Sequence, residues 1–318
     1  MATEKLKILF LCKFYRKVNR GVETYVNELS KRLKKNYEVD IFTGSDSENL
    51  KKIINGRYDF VIPTNGRLQA LKASFGRLFS NYKLVISGQS GIGRDDIFNI
   101  AVVKPDVYVA LTEYEKKWAE KWAFNTKLIK IPNGVDLDRF SPVGEKTNFY
   151  LEKPVILSVG ALFWYKRHEL SINAVSKLKK GFLLIVGSGP EEENLKKIAT
   201  KLLGDRFRII HSDYENLTNI YKSADIFVLP SWNREAFGIV YLEAMASGLP
   251  VVAPDDPPRR EIIEDAGLFV DVTDPEKYAK AIDRVLAKNW GSIPRKQAEK
   301  FSWDKVAKQY EDLFEEIT

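Results

Sequence analysis

The strongest constraint on this chain is a rhythm that runs through it twice: a short, almost wholly apolar segment, a turn, then a helix with one apolar face. In the first pass the apolar segments are Leu6–Leu11, Glu38–Thr43, Phe60–Pro63, Leu84–Ser87, Val107–Leu111 and Lys127–Ile131. After the first of them, Val22, Tyr25, Val26, Leu29 and Leu33 fall along one face at helical spacing. Apolar segments that lack inside–outside alternation and are separated by helices belong to parallel sheets covered on both faces. A polar stretch from Pro142 to Lys153 breaks the rhythm, as a linker does. It restarts with Val155–Val159, Phe182–Val186, Phe207–His211, Ile226–Leu229, Val251–Ala253 and Leu268–Val270. The expected fold class is therefore α/β, with two doubly wound, Rossmann-like domains at residues 1–145 and 146–302, facing each other across a cleft. A last amphipathic helix, about Trp303 to Ile317, makes residues 303–318 a terminal element able to cross back onto the first domain.

Length agrees with that division, because 318 residues exceed what one hydrophobic core usually serves. No apolar run approaches the ~20 residues of a membrane-spanning helix. The single cysteine, Cys12, excludes a disulfide framework, and the expected setting is the cytoplasm. Charge is unevenly divided. Residues 1–145 hold 25 Lys and Arg against 17 Asp and Glu, whereas residues 146–318 hold 25 against 26. A basic first half points to an anionic partner: membrane lipid, a phosphorylated acceptor or nucleic acid. A nucleic-acid role lacks any helix-turn-helix, zinc or aromatic-basic signature, so no nucleic-acid partner is expected.

The sharpest local pattern is EAFGIVYLEAMASG, Glu235 to Gly248. Glu235 stands in the loop beyond strand Ile226–Leu229, at the carboxyl edge where open α/β sheets bind ligands. Phe237 and Gly238 open a helix whose free N–H groups suit a diphosphate. Glu243 lies two turns inside that helix, among Val240, Leu242, Ala244 and Ala246, and a carboxylate in so apolar a helix needs a specific partner. Beyond the first strand of the second half, VGALFWYKRHEL sets Lys166 and Arg167 at a helix start, where cations can neutralise a departing pyrophosphate. The turn Gly187-Ser188-Gly189-Pro190 is read as structural, because Glu191, Glu192 and Glu193 at its mouth would repel phosphate. In the first half the loop KFYRKVNRG leads to Gly21 at a helix start, with Arg20 beside it.

These segments together resemble the retaining glycosyltransferases of the GT-B architecture, in the large group-1 set known as glycosyltransferase family four. The resemblance covers nearly all of the second half, including LLIVGSGPEEENL, ADIFVLPSWNREAFGIVYLEAMASGLPVVAP and FSWDKVAKQYEDLF. In the first half it rests on RGVETYV and IPNGVDLDRFSP. It implies that Glu235 holds the donor sugar, that Glu243 binds ribose hydroxyls, and that backbone amides at Phe237, Gly238 and Ile239 take sugar or phosphate oxygens. Lys166 would bind the diphosphate, with Gly21 approaching it from the other domain. The implied reaction moves sugar from a nucleotide-diphosphate sugar with retained anomeric configuration, without a metal or other cofactor.

Three positions depart from the family pattern. Ala161 stands where an arginine is frequent, leaving Lys166 to be helped by Arg167 or Arg20. Gln89 occupies the place of a usual histidine, which favours acceptor-side hydrogen bonding over acid–base chemistry. The paired glycines of the first loop are reduced to Arg20-Gly21. Asp136-Leu137-Asp138 matches a metal-binding Asp-x-Asp signature formally, but its place in a Pro-Asn-Gly turn explains it. Competing readings are a sugar phosphorylase, a nucleotide-sugar epimerase or a non-catalytic sugar-binding module. The expected partners are a nucleotide-sugar and a sugar or lipid-linked acceptor. Segment Arg67 to Phe79 adds an anionic membrane surface, because Leu68, Leu71, Phe75, Leu78 and Phe79 share one helical face with Arg67, Lys72 and Arg77 elsewhere. Tyr114, Trp118 and Trp122, flanked by lysines, form a second such stripe. The expected location is thus cytoplasmic, with a peripheral membrane role.

Overall fold

A computed structural model of the chain describes residues 5–18, 20–64 and 66–318; Asn19 of the first loop lies outside the described residues. All twelve apolar segments are strands. In the first half these are β1 (Lys7–Leu11), β2 (Glu38–Phe42), β3 (Phe60–Pro63), β4 (Lys83–Ser87), β5 (Val107–Ala110) and β6 (Lys127–Lys130). In the second half they are β7 (Val155–Val159), β8 (Phe182–Val186), β9 (Phe207–Ile210), β10 (Ile226–Val228), β11 (Val251–Pro254) and β12 (Gly267–Val270). They pair in parallel into two six-stranded sheets, ordered β2-β1-β3-β4-β5-β6 and β12-β11-β10-β7-β8-β9. Strands β3, β7 and β8 are buried along their whole length, as sheets covered on both faces require.

The chain forms two compact units. Unit 1 comprises Met1–Gly134, Arg234–Phe237 and Trp303–Thr318; unit 2 comprises Val135–Asn233 and Gly238–Ser302. The division falls at Gly134 rather than at 145, and side chains of the intervening residues explain why. Phe140 is fully buried in unit 2, edge-on to Tyr214 and Tyr221 at 5.8 and 5.7 Å. Arg295 donates to the carbonyls of Leu137 and Ala246 and also holds that of Phe140.

In unit 1 the terminal helix Trp303–Ile317 packs on helix Gly21–Leu33. The Tyr25 hydroxyl donates to that of Tyr310 at 2.9 Å, Arg32 meets Asp304 at 3.1 Å, and Phe314 stacks on Phe60 at 4.4 Å between centroids. The stripe Tyr114–Trp118–Trp122 does not form a membrane face. Trp118 and Trp122 pack against the core of unit 1, so a tryptophan pair at helical spacing here marks a core seam. None of the described helices is long and apolar enough to cross a membrane.

Candidate active site

In a doubly wound sheet the ligand-binding edge lies where the strand order reverses. In unit 2 that point lies between β7 and β10, so the loops after these strands build the site. The loop after β7 closes in a single turn, Trp164–Lys166, and Arg167 follows in the left-handed region with φ 57° before helix His168–Ser176. Gly187 and Gly189 allow this packing. A Cβ on Gly187 would collide with the carbonyl of Gly160, and one on Gly189 with that of Leu162. The Gly-Ser-Gly turn is structural, bringing the β8 and β7 loops together.

The loop after β10 meets the same place. Trp232 N–H donates to the Tyr165 carbonyl at 2.9 Å, and the rings of Trp164 and Trp232 meet edge-on at 5.0 Å. Phe163 stacks on Tyr165 at 5.6 Å, and Lys166 Nζ lies 5.9 Å from the Tyr165 ring centre. The expected diphosphate cation thus rises beside an aromatic shelf that spacing alone did not disclose, because its members come from two distant loops. Arg259 fixes the far side of that loop. Fully buried, it donates to Asp256 at 2.9 Å, to the Ser231 hydroxyl at 2.7 Å and to the Trp232 carbonyl at 2.8 Å.

Gly238 turns the chain with φ 87° and caps helix Ile239–Ala246, a conformation that favours glycine. In the first turn the Tyr241 N–H donates to the Gly238 carbonyl at 3.0 Å, and the N–H groups of Ile239 and Val240 precede the first intrahelical bonds. Glu243, one turn further in, is 4% exposed and accepts from the Tyr221 hydroxyl at 2.9 Å. Burial pushes its carboxyl up to about 7, against the lowering effects of that bond and of Arg139. The specific partner demanded by its apolar helix is therefore Tyr221. His168 bonds Ser158 at 3.0 Å through Nδ1 and is held neutral by burial, its pKa lowered to about 4.

Glu235 and Phe237 group with unit 1. There a Cβ on Gly91, whose φ is 76°, would collide with the carbonyl of Arg234, so only glycine lets the Gly88–Gly91 loop lie against the Glu235 segment. Gln89, between those glycines, is committed to Asn133. Each amide donates to the other, at 2.9 and 3.0 Å. Gly21 begins helix Gly21–Leu33. Arg20, expected to help Lys166, instead pairs with the buried carboxylate of Glu23 at 3.0 Å and stacks over Phe14. Asp136 accepts from the N–H groups of Asp138 and Arg139, the turn role its sequence context indicated.

Beneath the Gly88–Gly91 loop lies a buried acidic network. The Tyr108 hydroxyl donates to Glu115 at 2.8 Å, and Asp96, buried close by, keeps neither carboxyl oxygen in a well-formed hydrogen bond. Burial pushes Asp96 up to about 7. A raised carboxyl stabilises the fold fully below its unfolded pKa, and that contribution is lost as pH rises through the folded value. Asp96→Asn is accordingly expected to match wild type near about pH 4 and to exceed it by about 2–4 kcal/mol at about pH 8. Melting curves across that range check this; a parallel pH dependence in both proteins would refute it.

Comparison with known proteins gives the family and the fold. Residues 143–302, half of the chain, match the family described as glycosyl transferases group 1. The chain belongs to that family. An uncharacterised glycosyltransferase of Methanocaldococcus jannaschii is 36% identical over 178 residues, 51% of this chain and 45% of the relative. The group-1 chain spans about half the length of the curated relatives it matches. Sucrose-phosphate synthase from Thermosynechococcus elongatus has the same fold, with a TM-score of 0.84 at 23% identity over 98% of this chain and 99% of that one. Anabaena HepE, solved with UDP and glucose, gives 0.80 at 16% identity over 98% and 99%. The GT-B architecture is thereby established for this group-1 chain.

Proposed function

We propose that the chain is a retaining, metal-independent glycosyltransferase that moves a sugar from a nucleotide-diphosphate sugar to a sugar or lipid-linked, anionic acceptor. The observation that carries this reading is the unit 2 switch point, where Lys166 and the first turn of helix Ile239–Ala246 belong to neighbouring loops of one family-matched sheet. A fixed cation and the positive end of a helix stabilise a departing diphosphate without a metal. The Trp164–Trp232 shelf beside Lys166 offers an apolar wall that excludes water from such a leaving group. HepE, which shares the fold, was solved with UDP and glucose, which makes a uridine donor the first to test.

In the proposed reaction an acceptor hydroxyl oxygen bonds to the anomeric carbon on the face that the diphosphate leaves. The carbon–phosphate-oxygen bond breaks, and the departing phosphate takes the acceptor's proton. Glu235 would hold the donor sugar, with Phe237, Gly238 and Ile239 offering backbone N–H groups and Glu243 the ribose contact. Arg167 flanks Lys166, whereas Arg20 and Gln89, already paired, position their own loops on the acceptor side. The basic first half supports an anionic acceptor and a peripheral role at a cytoplasmic membrane face.

A thermal-shift screen with UDP, GDP, ADP and their sugars tests the donor class: one nucleotide and its sugars should raise the melting temperature. Transfer measured in EDTA should equal transfer with added magnesium or manganese. Activity lost to EDTA and restored by either ion would sink the metal-independent reading.

A further inference from the structure

Helix Gly66–Gly76 in unit 1 is packed the reverse of the usual way. Its small residues, Ala70, Ala73 and Gly76, face the core, and Gly76 has no Cβ because the Tyr82 hydroxyl takes that place. The large apolar side chains point out. Leu68 is 57% exposed, Leu71 43% and Phe75 51%, followed by Leu78 at 72% and Phe79 at 62% in the next turn. A contiguous apolar face of this kind on a water-soluble surface marks an interaction site.

Two hollows adjoin it and share Lys72. One is an open groove of ≈ 720 Å³ walled by Leu50, Leu71, Phe75 and Leu78. The other, ≈ 560 Å³, lies at Gly44 beyond β2 and is faced by Lys13, Lys17 and Lys72. Lys13 and Lys72 both meet Glu48, at 2.9 and 3.1 Å. Two of the three lysines thus pair with one carboxylate, and with Lys17 on the same wall the hollow is net cationic. It sits at the carboxyl edge of the unit 1 sheet, beside the reversal of strand order between β1 and β3, where doubly wound sheets take ligands.

We infer that this joined surface binds an anionic phospholipid in a bilayer, with the headgroup phosphate in the Lys13–Lys17–Lys72 hollow, hydrocarbon in the groove, and Leu78 and Phe79 in the membrane interface. A soluble phosphate would leave the exposed apolar side chains without a function. A second copy docking on the same face by two-fold symmetry would set lysines against lysines. The inference rests on the transferase reading only for what the lipid is used for, as the acceptor or its anchor; binding itself does not depend on it.

The test is co-sedimentation of the full chain with phosphatidylcholine vesicles, with and without phosphatidylglycerol. Preferential binding to the anionic vesicles is expected. Lys17→Gln and Lys72→Gln should each weaken it about fivefold, the equivalent of about 1 kcal/mol per cation at such a surface. Leu78→Gln with Phe79→Gln should weaken it at least about tenfold. All four side chains are at least partly exposed, and an unchanged melting temperature and nucleotide thermal shift confirm that fold and donor site survive. Three results would overturn the inference: equal or absent binding to both vesicles, anionic binding that ignores Leu78 and Phe79, or displacement of the protein from vesicles by inorganic phosphate alone. Light scattering that shows a dimer dissolved by the Leu78/Phe79 pair of changes would instead assign the face to a second copy. A donor-site failure would show as a lost nucleotide shift with vesicle binding intact, and so remains distinguishable.

Discussion

Glu235→Ala is expected to lower transfer turnover by about 10²–10³-fold, the loss that follows removal of one preorganised polar group from a reacting centre. The residue follows β10 at the sheet's carboxyl edge and is only partly buried, so its truncation leaves no large cavity. Its backbone is held independently of its side chain, since Gly91 fits against the Arg234 carbonyl. Glu243→Ala should behave differently. It removes the acceptor of the Tyr221 hydroxyl inside unit 2, and its main kinetic effect should be a higher donor Michaelis constant. Steady-state kinetics on both variants, with melting curves as controls, separate the two roles. A folded Glu235→Ala enzyme with wild-type turnover would end the assignment.

Arg259→Ala should produce the largest loss of stability, about 3–5 kcal/mol, because it strips a buried charge network of its cation. Asp256 would lose its partner at 2.9 Å, and the Ser231 hydroxyl and Trp232 carbonyl would lose their donor. Arg259→Lys should recover part of this, since a lysine carries the charge but cannot bridge three acceptors in a fixed fork. Folded fractions of either variant should also transfer sugar more slowly, because Ser231 and Trp232 begin the loop that leads to Glu235. Urea denaturation checks the stability claim. A change below about 1 kcal/mol for Arg259→Ala would show that the network is not what holds this loop.

Most of the architecture was legible because central parallel strands buried on both faces leave an unbroken apolar trace, and the more polar edge strands β2 and β6 keep its rhythm. Each of the twelve segments read that way is a strand, with ends displaced by no more than a residue. The segment from Glu235 to Gly248 was legible for a similar reason: a glutamate inside an apolar helix is costly, and its partner Tyr221 stands where that cost predicts one. Pairings between distant residues were not legible. Nothing in the sequence around Arg259 distinguishes it from its neighbour, yet Arg259 is buried while Arg260 pairs with Asp255 at the surface. Likewise Arg20 and Gln89 looked available and are committed to Glu23 and Asn133.

The sequence by itself determined two six-stranded α/β sheets, the strand-end loops that carry Lys166 and Glu235, and the glycine that opens helix Ile239–Ala246. Only the tertiary structure decided where the units divide and which way two helical faces turn. Periodicity reports that a helix has an apolar stripe, but the face that meets the core is chosen by how closely the backbone can approach. Ala70, Ala73 and Gly76 allow a closer approach than leucine or phenylalanine, so that side was buried and Leu68, Leu71 and Phe75 were left outside. At Trp118 and Trp122 the small residues Ala119 and Ala123 lie on the same side as the aromatic rings, and that side went inward.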